Sequence, residues 1–149
     1  MINLLEDVGM LDRKGSPTPI TLATILTTSM NDPPVDGTIY MRVFGKLHYL
    51  SFTRPDIAFI VSNLSQFMHN PRHSHLKIVK RLLRYLCHIC QFGIQIAKAP
   101  SARLVVYLDS DWAGDRNDRT STYGYITFLG NIPISWASKK QPSVSQSFT

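Results

Sequence analysis

The sequence predicts an α+β chain, a small helical segment followed by a three-stranded antiparallel meander. Two observations carry this. Apolar residues recur at helical spacing from Tyr40 to Leu86, and the period changes to two after residue 101. The pair Gly130-Asn131 then separates two alternating runs, as a tight hairpin turn does. At 149 residues there is room for one ordinary domain or two smaller units.

The first section, residues 1–36, opens on Ile2, Leu4, Leu5, Val8, Met10 and Leu11, the pattern of a short helix. Ser16-Pro17-Thr18-Pro19 and Asn31-Asp32-Pro33-Pro34 follow, and proline holds itself and its predecessor in extended shapes. An extended connector is expected there.

Residues 37–96 read as three helices. Tyr40, Val43, Phe44, Leu47 and Leu50 share one helix face. A second helix is expected to start with Thr53 as its cap and Asp56 in the acid-favoured first turn, with Pro55 tolerated between them. Ile57, Ile60, Val61, Leu64, Phe67 and Met68 form its apolar side, Phe59 is assigned to the core as well, and Asn70-Pro71 ends it. The third helix spans about His73 to Leu86. Leu76, Val79, Leu83 and Leu86 lie on one side, and Lys77, Lys80, Arg81 and Arg84 on the other.

In the last section, residues 101–149, Leu104, Val106, Leu108 and Ser110 alternate with Val105, Tyr107, Asp109 and Asp111. A polar loop from Gly114 to Arg119 leads to a second strand, Thr122 to Leu129. In the third, Ile132, Ile134 and Trp136 alternate with Pro133, Ser135 and Ala137. Pro133 cannot donate to a ladder, so this strand belongs at a sheet edge.

Composition narrows the function classes. The chain is 44% apolar and 17% charged, with 8 Gly and 9 Pro, which excludes a disordered tail, a collagen-like repeat and a coiled coil. The uncharged stretch Gly15–Asn31 is rich in Thr, Ser and Pro, unlike a membrane span. The start, Met1 to Asp7, lacks the basic and apolar regions of a signal peptide. An intracellular chain with no membrane partner is expected.

Charge is uneven. Residues 1–36 carry two Lys or Arg against five Asp or Glu, residues 37–100 nine against one, and residues 101–149 five against four. A middle section at +8 suits a polyanion such as nucleic acid, although a solvated helix face explains the same charges. Arg54, Lys77, Lys80, Arg81 and Arg84 are the candidate phosphate contacts, with Tyr40, Tyr49 and Tyr85 interleaved. Cys87 and Cys90 form one C-x-x-C at a helix end, two ligands short of a zinc site. Asp109 and Asp111, about 6.5–7 Å apart on one strand face, offer hard-cation ligands without completing a site. Asp115 and Asp118 are assigned to charge neutralisation beside Arg116 and Arg119.

Several blocks together resemble copia-type LTR retrotransposon Pol polyproteins. Tyr40 to Leu50 followed by Thr53-Arg54-Pro55-Asp56-Ile57 is similar to the block after the reverse transcriptase palm, and Ser65-Gln66-Phe67-Met68 and Lys80 to Leu86 continue it. Tyr107-Leu108-Asp109-Ser110-Asp111-Trp112-Ala113-Gly114-Asp115 resembles the start of that family's ribonuclease H domain. Arg119-Thr120-Ser121-Thr122, Ile134-Ser135-Trp136 and Ser138-Lys139-Lys140-Gln141 follow in order. Leu4 to Met10 and Thr18-Pro19 look like the trailing edge of the palm.

The resemblance implies three parts. Residues 1–36 would be the palm's trailing edge and connector, 37–96 a thumb- or connection-like helical segment, and 101–149 the first three strands of an incomplete ribonuclease H-like domain. It makes Asp109 the first catalytic, metal-binding carboxylate, with Asp111 a second metal candidate, and Mg²⁺ the parent enzyme's cofactor. RNA, DNA or an RNA–DNA hybrid is the implied partner. The family's second catalytic acid follows Ser147-Phe148-Thr149, so this chain alone is expected to be catalytically inactive, without stable Mg²⁺. Two alternatives stand beside that: part of an active RNA-directed DNA polymerase with ribonuclease H, or a retained nucleic-acid-binding fragment.

Overall fold

The computed structural model describes residues 2–10, 13–21, 32–96, 103–112, 114–115 and 118–144. The expectations for Leu11, Ala113, Arg116, Asn117, residues 22–31 and residues 145–149 lie outside the described residues. The chain divides into two compact units at Phe92/Gly93.

The first unit is helical. Helix α1 (Ile2–Asp7) buries Leu4 and Leu5. It ends in a paired cap: Gly9 N donates to Glu6 O at 3.0 Å and Met10 N to Leu5 O at 2.8 Å. Gly9 supplies the left-handed φ of 62° that this ending needs. Lys46 pairs with Asp7, tying α1 to the next helix.

Residues 32–36 form a strap on the helical bundle. Pro34 bridges to Arg72, Val35 N donates to Pro71 O, and His73 N to Pro33 O. Asp36 then caps helix α2 (Gly37–Ser51), accepting from Thr38 N at 2.8 Å and Ile39 N at 3.3 Å. Tyr40, Val43, Phe44 and Leu47 of α2 are buried, and Leu50 packs at the margin, matching the expected face.

Helix α3 (Pro55–Ser65) starts one residue later than its predicted cap implied. Arg54 occupies the N-cap position, while Thr53 Oγ1 donates back to Leu50 O at 3.1 Å and closes α2. Ile57, Ile60, Val61 and Leu64 are buried as expected. Phe59 is 49% exposed, a correction to its core assignment. Phe67 and Met68 lie past the helix end, where Phe67 stacks on His75 with ring centroids 4.0 Å apart.

Helix α4 (His73–His88) buries His75, Ile78, Val79, Leu82, Leu83 and Leu86. The buried stripe is centred further from Leu76 than expected, which leaves Leu76 partly exposed and brings Ile78 and Leu82 inside. His75 is fully buried because its Nδ1 accepts from the Arg72 N–H at 3.1 Å, satisfying a first-turn amide from within the core. Every buried apolar side chain among the described residues, from Leu4 to Leu86, belongs to this unit.

The second unit is a meander of β1 (Leu104–Ser110), β2 (Thr122–Leu129) and β3 (Ile132–Lys140), ordered β1-β2-β3 and antiparallel throughout. β1 pairs with β2 from Leu104↔Leu129 to Ser110↔Tyr123. Gly130, at φ 61°, opens the two-residue turn before β3, the position where a type II′ hairpin takes glycine. Pro133 sits on the edge strand, as expected. The predicted alternation of β3 fails in the middle. Phe128 pairs with Pro133 but Thr127 with Ser135, so Ile134 is an extra residue, and Ile132 and Trp136 fall on opposite faces.

This α+β arrangement, four helices and an open three-stranded sheet, agrees with the expected class. No helix among the described residues is long and apolar enough to cross a membrane.

Candidate nucleic-acid interface

The basic stripe of α4 follows from the helix period. With 3.6 residues per turn, Lys77, Lys80, Arg81 and Arg84 fall within one sector opposite His75, Val79 and Leu82. Lys77, Lys80 and Arg84 are exposed. Arg81 is half-buried and donates from Nη2 to Thr18 Oγ1 at 2.8 Å. The same segment meets α4 again through Ser16 N, which donates to Arg84 O at 3.1 Å, and Cys87 Sγ, 3.7 Å from Arg13 O.

The N-terminus of α4 is anchored from a distance. Asp32 Oδ2 accepts from Ser74 N at 2.9 Å, and Arg72 Nη1 donates to Asp32 O at 3.0 Å. The Ser74 hydrogen bonds hold the Asp32 carboxyl below its ordinary range. These contacts fix where the stripe points without using any of its cations.

Arg54 is not part of the stripe. It is 7% exposed, and its guanidinium makes a two-pronged pair with Asp56, Nε to Oδ1 at 2.8 Å and Nη2 to Oδ2 at 2.6 Å. Sequence reasoning missed this because an Arg-Pro-Asp triplet at a helix start can point its guanidinium outward or back over the first turn. The tyrosines also separate. Tyr40 is buried, Tyr85 is tied to Asp56, and Tyr49 is 78% exposed.

The two carboxylates of the sheet unit differ. Asp109 is exposed on β1, opposite Gly124. Asp111 lies one residue past the strand and braces the ladder: its N donates to Thr122 O at 3.0 Å, and its Oδ1 accepts from Thr122 N at 2.6 Å. Asp115 and Asp118 both pair with Lys140, at 2.6 and 2.7 Å, and Asp118 also accepts from Thr120. The Lys140 contact pulls Asp118 down to about 2. The cation they share is Lys140, a partner far along the chain.

Among the described residues no three His, Cys, Asp or Glu side chains are grouped to hold a metal ion. The described donors therefore do not make up a two-ion phosphodiester site, which takes carboxylates from several elements. They provide one exposed strand carboxylate, Asp109.

The chain is similar to a set of known proteins. It is 44% identical along all 149 residues to the retrovirus-related Pol polyprotein from transposon RE1 of Arabidopsis thaliana, of which it covers 10%. It is 35% identical to the retrovirus-related Pol polyprotein from transposon TNT 1-94 of Nicotiana tabacum, with 98% of this chain and 11% of that protein covered. A secreted RxLR effector protein 161 of Plasmopara viticola is 44% identical over 74% of the chain and 78% of its own length. The chain thus spans about a tenth of the Pol polyproteins it matches. No family model matches it, and no solved structure does.

Proposed function

The chain belongs to the copia-type retrotransposon Pol polyprotein family, and from that premise we propose that it is the stretch connecting reverse transcriptase to ribonuclease H in such a polyprotein. Residues 1–36 are the trailing edge of the palm and its connector, 37–96 a thumb- or connection-like segment, and 101–149 the opening strands of the nuclease. The observation that supports this best is the end-to-end similarity to the RE1 polyprotein. It is joined by a meander whose first strand exposes Asp109 and whose third strand is an edge.

On this reading the chain binds RNA, DNA or their hybrid electrostatically through Lys77, Lys80 and Arg84, with Arg81 contributing its partly exposed guanidinium. Counterion release sets the expected signature. Three or four phosphate contacts give a log–log salt slope of about −2.7 to −3.6 on a duplex. Asp109 is one Mg²⁺ ligand of the complete nuclease. The described residues group no sufficient ligand set, and the 149-residue chain by itself is expected not to cleave.

The test uses the 149-residue chain, Mg²⁺ and a labelled RNA–DNA hybrid. Expected are no cleavage and binding that weakens steeply with salt and with Lys77→Gln, Lys80→Gln and Arg84→Gln combined. Cleavage that disappears in Asp109→Asn overturns the inactivity. Salt-insensitive binding, or binding unchanged in the triple variant, overturns the interface.

A further inference from the structure

We infer that Cys87 and Cys90 close into a reversible disulfide, and that closure releases residues 13–18 from the end of α4. Neither half rests on the nucleic-acid reading. The bond joins the ends of four consecutive residues, and the contacts it alters lie within the helical unit.

The backbone already brings the two residues together. Cys90 N donates to Cys87 O at 3.4 Å, and Phe92 N to Ile89 O at 3.0 Å, so α4 ends in two successive turns. His88 is the last helical residue, and Ile89, at φ −113° and ψ 27°, takes the third place of a type I-like turn. Such a turn holds its first and last Cα within about 7 Å, and a disulfide accepts roughly 4.4–6.8 Å. Three residues along a helical turn also bring side chains back to nearly the same side. Both cysteines are unbridged and half-buried, within reach of a small oxidant.

The unbridged arrangement uses one sulfur elsewhere. Cys87 Sγ donates to Arg13 O at 3.7 Å. That contact lies at one end of an antiparallel seam: Gly15 abuts His88, Ser16 N donates to Arg84 O at 3.1 Å, and Arg81 Nη2 reaches Thr18 Oγ1 at 2.8 Å. To bond Cys90, the Cys87 sulfur has to turn from Arg13 O toward the following turn, and its S–H is consumed. The seam then opens from its Arg13 end.

The oxidant is a low-molecular-weight disulfide such as oxidised glutathione. Cys90, past the helix end, attacks one of its sulfurs as the thiolate, and one glutathione leaves as the thiol. Cys87 then attacks the Cys90 sulfur of the mixed disulfide and expels the second glutathione. One S–S bond breaks and one forms; the protein gives up two electrons and two protons, and oxidised glutathione takes them up. The chain has 2 Cys, so the competing products are a glutathione adduct and cross-linked chains. Groups joined by so short a segment meet at an effective concentration of about millimolar or more, which favours the ring over linking micromolar chains.

The full chain, equilibrated in glutathione buffers from reducing to oxidising, tests both halves. Tryptic peptide 85–98, which holds both cysteines, should become lighter by two hydrogens, with no glutathione attached. Its yield should not change over about a ten-fold range of protein concentration, and reducing buffer should restore two alkylatable thiols. After oxidation the Ser16 amide should exchange about two- to five-fold faster, the low end for one hydrogen bond because S–H is a weak donor. Chain carrying both Cys87→Ser and Cys90→Ser, treated identically, should show no change. Glutathione adducts, cross-linked chains or two thiols that persist in oxidising buffer would overturn the disulfide. A bridged chain whose Ser16 amide exchanges as before, or the same acceleration in the double variant, would overturn the release.

Discussion

Tyr85 Oη donates to Asp56 Oδ2 at 2.9 Å, and the same oxygen accepts from Arg54 Nη2 at 2.6 Å. One carboxylate thereby fastens the first turn of α3 to the last turns of α4. Arg54 reaches further, donating from Nη1 to Phe92 O at 3.4 Å. The arginine that sequence places among phosphate contacts is a brace inside the helical unit.

Removing Asp56 should therefore cost stability rather than nucleic-acid affinity. Asp56→Ala takes the carboxylate away from a buried guanidinium, and a loss of about 2–4 kcal/mol is expected, below the full buried-pair value because Asp56 is partly exposed. Burial pushes the Asp56 carboxyl up, but its hydrogen bonds from Arg54 and Tyr85 prevail and hold it below 3.8. A depressed folded value means that this stabilisation is present above about pH 4 and disappears as pH falls through the folded value. Urea unfolding at neutral and acid pH checks both, and Asp56→Asn should flatten that part of the acid loss.

The alkaline limb has a separate origin. Burial pushes the Tyr40 hydroxyl up to about 12. The unfolded chain ionises it near 10, so the folded state binds the proton more tightly between the two values. Stability is complete below pH 10 and falls as pH rises toward 12, by about 2–3 kcal/mol from this residue. Tyr40→Phe gives up only a long hydrogen bond to Leu64 O, 3.5 Å, and should remove that slope. Chemical unfolding of both proteins at pH 9 and 11.5 makes the comparison; equal slopes would exclude Tyr40 as the source.

What sequence reasoning reached, and what it missed, divides by range. Helix periods, the Gly130-Asn131 turn and the Pro133 edge are local properties, written within a few residues, and each appears in the structure. The extra residue at Ile134 depends on the partner strand, and alternation within β3 alone conceals it. Arg54 and Asp111 depend on which neighbour captures a charged group, a choice made by packing. Lys77, Lys80 and Arg84 stayed on one exposed sector because nothing in their own helix turns them inward. His75 is buried because it accepts a backbone amide, a role that spacing cannot signal.

Gly15 is a place where the missing side chain is needed. A Cβ there would lie 2.7 Å from His88 Cβ and 3.2 Å from His88 Cα, too close to a helix backbone to be absorbed by a rotamer change. Gly15→Ala should push this segment off α4, loosening the Ser16–Arg84 and Arg81–Thr18 hydrogen bonds. A loss of about 1–3 kcal/mol is expected, as for overpacking elsewhere. Urea midpoints of the two proteins measure it, and an unchanged midpoint would mean that the segment shifts without cost.

The sheet unit should open far more readily than the helices. Its described residues bury only Thr120 and Ser121, whereas α2, α3 and α4 share a core that includes Leu47, Ile57, Leu64, Leu82 and Leu86 at zero exposure. Local opening is governed by how much apolar surface must be exposed, so sheet amides should exchange with solvent well before those of Leu47 and Leu82. Within β1 the pattern should alternate. The amides of Val105, Tyr107 and Asp109 face β2 and are protected, while those of Leu104, Val106 and Leu108 face the open edge and exchange fast in dilute solution. Residue-resolved hydrogen exchange at low concentration shows this parity directly. Uniform protection along β1 would contradict the assigned ladder.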